Sequence, residues 1–194
     1  IHGVIRGSGF CNDGQPEDKM SFIAPTKSGQ TRAMREALDE AELDPASISF
    51  VECHGTGTLL GDPVEITSLQ EVYTENSSTK RSCAIGSVKG NVGHLGPAAG
   101  VVGLIKTCLA MTHHTIPPMA NFEKPNREIA WDETPFFVPK TALEWKRNGD
   151  PKRASISAFG FGGSNAHVVL EEYTGAPRET LDTIQNQELL IVSA

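Results

Sequence analysis

The chain has 194 residues, of which 38% are hydrophobic, so it can bury one ordinary core and fits a single domain. Its formal net charge of -7 and pI of about 5.4 argue against a nucleic-acid-binding surface, which needs clustered Lys and Arg. No apolar stretch has the length of a membrane span, and the amino end carries no signal-sequence pattern. We therefore expect a cytoplasmic protein that binds neither nucleic acid nor membrane.

The cysteines form no recognisable metal-binding or disulfide pattern. Cys11, Cys53, Cys83 and Cys108 are scattered without C-x-x-C spacing, so we expect reduced thiols and no bound metal. Ile1 opens directly into a strand-like run without a starting Met, which indicates a piece of a longer polypeptide.

The hydrophobic pattern alternates between strands and helices. Strands are expected at residues 4–10, 48–52, 83–88, 154–159 and 166–172. Helices are expected to begin at Ser28 as N-cap, at Asp62 as N-cap with Pro63 behind it, and at Pro97. The last two strands flank the short turn GFGGSN and should pair antiparallel. This order predicts an α/β fold whose sheet is mainly parallel, with right-handed crossovers and one antiparallel edge.

Two stretches fall outside this alternation. Residues 117–152 are rich in proline and charge, and we expect them to form ordered cover over the site, because their aromatic side chains need to pack. These aromatic residues are Trp131, Phe136, Phe137 and Trp145. Residues 173–187 have the composition of a linker, and residues 189–192 resemble the first strand of a next unit.

Two predicted strands each lead into a turn that carries a histidine. His54 lies in FVECHGTGTLLGDPVE and His94 lies in SVKGNVGHLGPAAG. Because the carboxyl ends of parallel strands meet at one edge of a sheet, we expect both imidazoles in a shared pocket. The alternative for each is a structural histidine that caps a loop. His2, His113, His114 and His167 have no such motif and are expected on the surface or in packing roles.

The strings VECHGTGTLLGDPVE, GSVKGNVGHLGPAAG, NFEKPN and SISAFGFGGSNAHVVLEE together resemble the carboxyl-terminal half of a β-ketoacyl synthase domain from a type I (modular or iterative) polyketide synthase. The opening VIRGSGFCNDG and the closing ELLIVSA resemble the same family. The resemblance implies a thiolase-like α/β fold, with this chain forming one half as a five-stranded mixed sheet covered by helices. Residues 1–172 would be the half-domain, and residues 173–194 the start of the linker that follows it.

The chemistry that the resemblance implies is a decarboxylative Claisen condensation between an acyl thioester and a malonyl-type extender on acyl carrier protein. By motif position, His54 and His94 are the catalytic histidines. A neutral imidazole can donate a hydrogen bond to the thioester oxygen as enolate charge grows. Lys89 matches the family lysine behind the histidines, and we expect it to form a buried ion pair with Glu65 and to keep both imidazoles neutral.

Other matched positions are expected to bind the substrate. Thr56 and Thr58 match the threonines that hydrogen-bond the phosphopantetheine arm, although they could merely cap the turn. Asn91 belongs to the NVGH turn and is assigned to the same group. Phe161 matches the mobile phenylalanine whose backbone N–H completes the oxyanion hole and whose ring gates acyl entry. Its neighbours Gly162 and Gly163 would permit that movement.

The nucleophilic cysteine of the family lies far upstream of HGTGT, so no cysteine of this chain is expected to act as the nucleophile. We expect the isolated chain to be inactive and to bind no cofactor, the substrate arriving on the phosphopantetheine arm of acyl carrier protein. The expected partners are that carrier, the missing amino-terminal half, a second copy in a homodimer, and a neighbouring acyltransferase domain. Without its other half, the chain should expose the apolar helix at residues 100–110.

Two other classes of function stay open. One is a non-elongating, synthase-like domain that binds an acyl carrier and passes the chain on without condensation. The other is an interaction module that meets an acidic carrier protein through a basic cluster, for which a solvated charged face is the alternative. That cluster consists of Lys140, Lys146, Arg147, Lys152 and Arg153.

Overall fold

The computed structural model describes residues 1–14, 24–75, 82–147 and 149–175. The strands are β1 (Val4–Asn12), β2 (Phe50–Glu52), β3 (Cys83–Gly86), β4 (Thr115–Ile116), β5 (Phe136–Phe137), β6 (Leu143–Glu144), β7 (Arg153–Phe159) and β8 (Ser164–Glu171). The α-helices are α1 (Lys27–Ala41), α2 (Gly61–Tyr73), α3 (Lys89–Val92) and α4 (Ala99–Thr112). No helix within these residues is long and apolar enough to cross a membrane.

The main sheet has the strand order β1-β8-β7-β2-β3-β5, counted over the described residues. β7, β2, β3 and β5 are parallel neighbours, whereas β8 runs antiparallel to both β1 and β7. The mixed α/β sheet is thus confirmed, but the antiparallel strand is not at the edge as predicted. β1 pairs along nearly the whole of β8, from Val4 opposite Glu171 to Asn12 opposite Ser164, and takes the edge position itself. The two-residue strand β5 adds a sixth strand to the five expected.

Helices cover the sheet on both faces. Met34 and Leu38 of α1 and Leu69 of α2 share a buried cluster with Val51 of β2, whereas Met111 of α4 lies in a second cluster with Phe50. Because Phe50 and Val51 are consecutive in a strand, the two clusters lie on opposite faces of the sheet. Because the helices lie on the two faces of the sheet, they leave the carboxyl ends of β2, β3 and β7 uncovered.

Close packing of α1 on β1 requires glycine in the strand. A Cβ atom added to Gly9 would lie 1.9 Å from the carbonyl oxygen of Ala33, so no side chain fits there.

α1 begins two residues earlier than predicted, because its N-cap is Thr26 rather than Ser28. The Thr26 hydroxyl accepts a hydrogen bond from the N–H of Gly29 at 3.1 Å.

The apolar helix α4 is uncovered along one side. Val101 and Ile105 are each 53% exposed and Leu109 is 48% exposed, although the opposite side of the helix packs on the sheet. Residues four apart share one face of a helix, so these three form a continuous apolar stripe. This confirms the expectation that the chain by itself exposes the helix at residues 100–110.

Several predicted boundaries were wrong. α2 begins at Gly61, and its N-cap is Leu60, which makes no side-chain hydrogen bond. The Asp62 carboxylate accepts the N–H of Gly57 at 3.0 Å instead of acting as the predicted N-cap. The strand expected to reach residue 88 ends at Gly86, where α3 follows within three residues. A 3₁₀ turn, Gly96–Ala98, precedes α4 where a continuous helix from Pro97 was expected.

The segment 117–152 packs beside the sheet rather than over the site. Phe136 joins the sheet in β5, and the Trp145 ring packs against Phe50 while its Nε1–H donates to the Ser49 hydroxyl at 2.8 Å. None of the segment's described residues lines the cleft described below. The prediction that the segment covers the site is therefore wrong, since its aromatic side chains are satisfied elsewhere. The predicted strand at 189–192 and most of the predicted linker lie outside the described residues.

Candidate active site

A cleft of about 1280 Å³ opens at the carboxyl ends of β2 and β7. His54, two residues beyond β2, and Phe159, the last residue of β7, both line it. His94 reaches the same cleft from the turn that follows β3 and α3. The parallel register of the three strands therefore brings the two histidine turns to one place, as the sequence predicts.

The two imidazoles face each other across a short gap. Their ring centroids are 5.5 Å apart and their planes meet at 83°, so one ring stands edge-on to the other. The His54 ring also packs against Phe159, with a centroid distance of 5.6 Å. The expectation that both rings share a pocket is met by this geometry.

Backbone hydrogen bonds fix the orientation of both rings. The Nδ1 atom of His54 accepts the N–H of Phe159 at 3.3 Å, and the Nδ1 atom of His94 accepts the N–H of Gly96 at 3.0 Å. In a neutral imidazole, one nitrogen accepts and the other carries the proton. The proton of each neutral ring therefore resides on Nε2, and both rings are hydrogen-bond donors at that atom.

His54 is held in its neutral form. Burial lowers the pKa of His54 to about 4, and the positive charges that Lys89 and His94 can bring act in the same direction. Burial likewise lowers the pKa of the Lys89 ammonium, and the nearby carboxylates of Glu65 and Glu52 partly offset this lowering. The predicted electrostatic effect of Lys89 on the first histidine is thus present in the structure.

Lys89 and Glu65, which both belong to the described part of the chain, do not form the expected ion pair. Instead, the two carboxylate oxygens of Glu65 accept the backbone N–H groups of His54 at 2.7 Å and Gly55 at 2.8 Å. Burial raises the pKa of Glu65 to about 7, against the effect of these two N–H donors. The carboxylate holds the first histidine turn through its backbone, a role that residue spacing does not reveal.

The threonines of HGTGT line the cleft and also brace the turn. Thr58 accepts the N–H of Gly61 at 3.0 Å, and the Thr56 hydroxyl lies 3.2 Å from the Thr58 hydroxyl. The capping role that competed with substrate binding is therefore filled by Thr58. Asn91 is exposed in α3 and lies outside the lining of the cleft.

The loop that follows β7 presents an exposed aromatic ring at the mouth of the cleft. Phe161 is 86% exposed, and Gly162 and Gly163 adopt φ values of 87° and 91°. Side chains other than glycine rarely adopt that backbone region, so both glycines are required by the turn. The carbonyl of Gly163 accepts the N–H of Asp13 at 2.8 Å, which fixes the far end of the loop.

The cysteines show no feature of a nucleophile. Burial raises the pKa of the Cys53 and Cys83 thiols far above the ordinary value and also raises the pKa of Cys108. Cys11 lines the cleft, but its thiol donates to the carbonyl of Gly29 at 3.0 Å. Among the histidines without a motif, His167 has a structural place: it is fully buried, and its Nδ1 lies 3.0 Å from the Ser157 hydroxyl.

The basic cluster considered for carrier docking is largely neutralised. Lys152 is buried and binds Glu172 at 2.7 Å, and Arg147 binds the same carboxylate at 2.6 Å. Arg153 binds Glu171 at 2.7 Å, and Lys146 binds Glu144 at 3.1 Å. These charges are used within the chain, so they do not form the free positive face that the interaction-module hypothesis needs.

Sequence reasoning missed a buried ion pair between Glu52 and Lys106, whose atoms lie 2.7 Å apart. Glu52 is a charged residue in a strand whose three residues are all buried, and Lys106 is the one charged residue in α4. A lone charge in each of two buried elements is the signal that could have found the pair.

Comparison with known proteins places the chain in a family. Residues 2–123 match the model of the β-ketoacyl synthase C-terminal domain, and residues 125–194 match that of the ketoacyl-synthetase C-terminal extension. The chain is 45% identical over 190 residues to one component of the phenolphthiocerol/phthiocerol polyketide synthase of Mycobacterium tuberculosis, covering 97% of this chain and 12% of that protein. It is 38% identical over 191 residues to the polyketide synthase PksN of Bacillus subtilis, covering 98% of this chain and 3% of that protein.

Solved structures agree with this assignment. Ketosynthase twelve of the bacillaene polyketide synthase of Bacillus amyloliquefaciens is 42% identical with a TM-score of 0.86, covering 91% of this chain and 31% of that one. The module 6 ketosynthase of the Bacillus subtilis bacillaene synthase is also 42% identical, with a TM-score of 0.85, covering 90% of this chain and 32% of that one. The chain spans about a third of these ketosynthases and a small part of the curated relatives. It therefore belongs to the β-ketoacyl synthases, as the carboxyl-terminal half of a thiolase-like ketosynthase domain of a type I polyketide synthase.

Proposed function

We propose that this half-domain supplies the two histidines of a decarboxylative Claisen condensation. The observation that carries the proposal is the facing pair His54 and His94, each anchored through Nδ1 and each donating at Nε2. Two Nε2–H donors that line one cleft suit a thioester oxygen that gains negative charge, because donors already in place need no reorganisation as the charge develops.

In the proposed step, a malonyl thioester loses its carboxylate as carbon dioxide, and the electrons of that C–C bond form an enolate. The Nε2–H groups of His54 and His94 donate to the enolate oxygen. The enolate carbon then attacks the carbonyl of an acyl group held on a cysteine, so that a C–C bond forms and the C–S bond breaks, releasing the thiolate. Lys89 favours the neutral form of His54 throughout, which preserves the donor.

The nucleophile and both acyl groups come from outside this chain. The cysteine is supplied by the amino-terminal half of the ketosynthase, and both acyl groups arrive on phosphopantetheine arms of acyl carrier protein. Thr56 and Thr58, at the cleft wall, are the proposed contacts for that arm. The backbone N–H of Phe161 is the proposed oxyanion donor for the acyl-cysteine carbonyl. The chain alone is accordingly inactive, and the working unit is a homodimer of complete domains.

Product analysis with the parent ketosynthase domain tests this function. The domain is acylated on its cysteine and mixed with malonyl-loaded and empty carrier protein, and the carriers are analysed by intact mass spectrometry. We expect a β-ketoacyl carrier together with released carbon dioxide. Transfer of the original acyl group to an empty carrier, with no condensation product and no carbon dioxide, would instead establish the non-elongating function.

A further inference from the structure

A buried ion pair outside the cleft holds the start of the turn that carries His94. Glu52, the last residue of β2, is 2% exposed, and both of its carboxylate oxygens are bound. Oε1 accepts a hydrogen bond from the backbone N–H of Val88 at 2.5 Å, and Oε2 accepts one from the Lys106 ammonium at 2.7 Å. The carboxylate therefore links β2, the turn after β3, and α4 at a single point.

The surrounding chain is shaped to admit this pair. A Cβ atom on Gly103 would lie 3.0 Å from Cγ of Glu52, and a Cβ atom on Gly86 would lie 3.3 Å from Nζ of Lys106. The Lys106 ammonium also lies 5.6 Å from the centroid of the Phe50 ring, a favourable position for a cation. Two glycines and an aromatic ring thus accommodate a charge in an otherwise apolar helix.

The hydrogen bond from the backbone N–H of Val88 to Glu52 restrains the start of the turn that carries the second histidine. Val88 is the N-cap of α3, Lys89 is its first residue, and His94 follows two residues after its end. Two further restraints act nearby, since the N–H of Ser87 donates to Sδ of Met119 at 3.2 Å and Asn121 donates to the carbonyl of Gly90 at 2.7 Å. Glu52 supplies the charge-assisted hydrogen bond, which is the stronger kind.

The two histidine turns are held in parallel ways. Glu65 binds the backbone N–H groups of His54 and Gly55, and Glu52 binds the backbone N–H of Val88, each through a buried carboxylate. The relative position of the two rings therefore depends on two separate carboxylates. Within the described residues, no hydrogen bond joins one carboxylate to the other.

We propose that Glu52 and Lys106 are positioning residues for the decarboxylation step, which set the position of His94 relative to His54. This inference rests on the proposed function. Burial raises the pKa of Glu52, and Lys106 opposes that rise and orients the carboxylate, which in turn binds the N-cap residue of α3. Removing either partner leaves a buried charge uncompensated, so the turn relaxes away from its position at Val88, and small displacements of catalytic groups cost large factors in rate.

The test uses the parent ketosynthase domain and compares two partial reactions. Acylation of the cysteine by an acyl thioester needs the cysteine and the Phe161 loop, whereas carbon dioxide release from a malonyl thioester needs both histidines. For Glu52→Ala and Lys106→Met, we expect carbon dioxide release to slow by about tenfold to a hundredfold while acylation changes by less than about twofold. The double variant E52Q/K106M retains an amide oxygen for Val88 without an unpaired charge, so we expect it to recover to within about threefold of the unmodified domain.

Glu172→Gln is the matched control. Glu172 is also a buried carboxylate that accepts one backbone N–H, from Lys152 at 3.2 Å, and one lysine ammonium, at 2.7 Å. It also binds the Arg147 guanidinium at 2.6 Å, and it lies away from the cleft lining. We expect it to lower the melting temperature without changing the ratio of the two partial reactions. Equal losses of both partial reactions in the Glu52 and Lys106 variants, or the same ratio as in Glu172→Gln, would overturn the positioning role. Failure of the proposed function is distinguishable, because the unmodified domain would then release no carbon dioxide.

Discussion

The imidazole of His54 stands edge-on to that of His94, with 5.5 Å between the ring centroids. Each is tied through Nδ1 to a backbone N–H, and each turn is tied to a buried carboxylate. The geometry is therefore a property of the backbone, and changes at residues that never meet the substrate are expected to alter the chemistry.

Removing the Glu65 carboxylate should displace the first histidine turn. In Glu65→Ala, two backbone N–H groups lose their acceptor, and we expect a loss of about 2 to 3 kcal/mol in the free energy of unfolding at pH ~8. Urea titration of the parent domain measures the loss, and carbon dioxide release should fall with it. Glu65→Gln keeps one acceptor oxygen, so its free energy of unfolding should lie between those of Glu65→Ala and the unmodified domain. Equal stability of all three proteins would show that these hydrogen bonds hold nothing in place.

Lys89 should set the acid limit of the reaction. Because its positive charge adds to the effect of burial in lowering the pKa of His54, Lys89→Met should raise that pKa above its value of about 4. The acid side of the pH profile for carbon dioxide release would then move upward, by about one pH unit. The exposed Lys140→Met serves as the control and should leave the profile where it is. An unchanged acid limb in Lys89→Met would remove Lys89 from the electrostatic account.

Glu172 should stabilise the domain in a pH-dependent way. Burial acts to raise the pKa of Glu172, but the hydrogen bonds of Arg147 and Lys152 outweigh it and lower the pKa to about 2. Since the pKa in the unfolded chain is about 4.3, the contribution is fully present above that pH and is lost as the pH falls toward about 2, amounting to about 3 kcal/mol. Urea titrations of the unmodified domain and Glu172→Gln should show a stability gap at neutral pH that narrows in acid. A gap independent of pH would contradict this linkage.

The exposed stripe of α4 should drive association. We expect the isolated chain to aggregate or self-associate, and replacement of Val101, Ile105 and Leu109 by serine to reduce this and to weaken assembly with the amino-terminal half by about 5 kcal/mol. Gel filtration and co-elution with that half are the measurements. Serine at the exposed positions Glu36 and Asp39 of α1 is the control. A compact, monodisperse monomer formed by the unmodified chain would contradict the dependence on a mate.

The elements that carry the histidines were predictable because their signals are local. Hydrophobic runs that end at HGTGT and NVGH place both turns at strand ends, and parallel pairing then brings them together. The short α3 helix and the position of β1 outside β8 were not predictable, because a four-residue helix has no hydrophobic period and the pairing partner of an edge strand depends on tertiary packing.

The carboxylates show the limit of spacing arguments most clearly. The family resemblance implies an ion pair between Glu65 and Lys89, whereas the oxygens of Glu65 bind backbone N–H groups. Spacing also gives no sign that Glu52 binds a lysine 54 residues away. A sequence identifies a buried charge as unusual, but the partner that satisfies the charge is determined by which atoms the fold brings within hydrogen-bond distance.

The central claim is that His54 and His94 act together on the extender thioester. Single-turnover measurement of carbon dioxide release from malonyl-loaded carrier, in the parent domain carrying His54→Ala or His94→Ala, tests it most directly, with cysteine acylation measured on the same samples. We predict that each variant is acylated at close to the unmodified rate and releases carbon dioxide at least about a hundredfold more slowly. Release at the unmodified rate in either variant would contradict the claim.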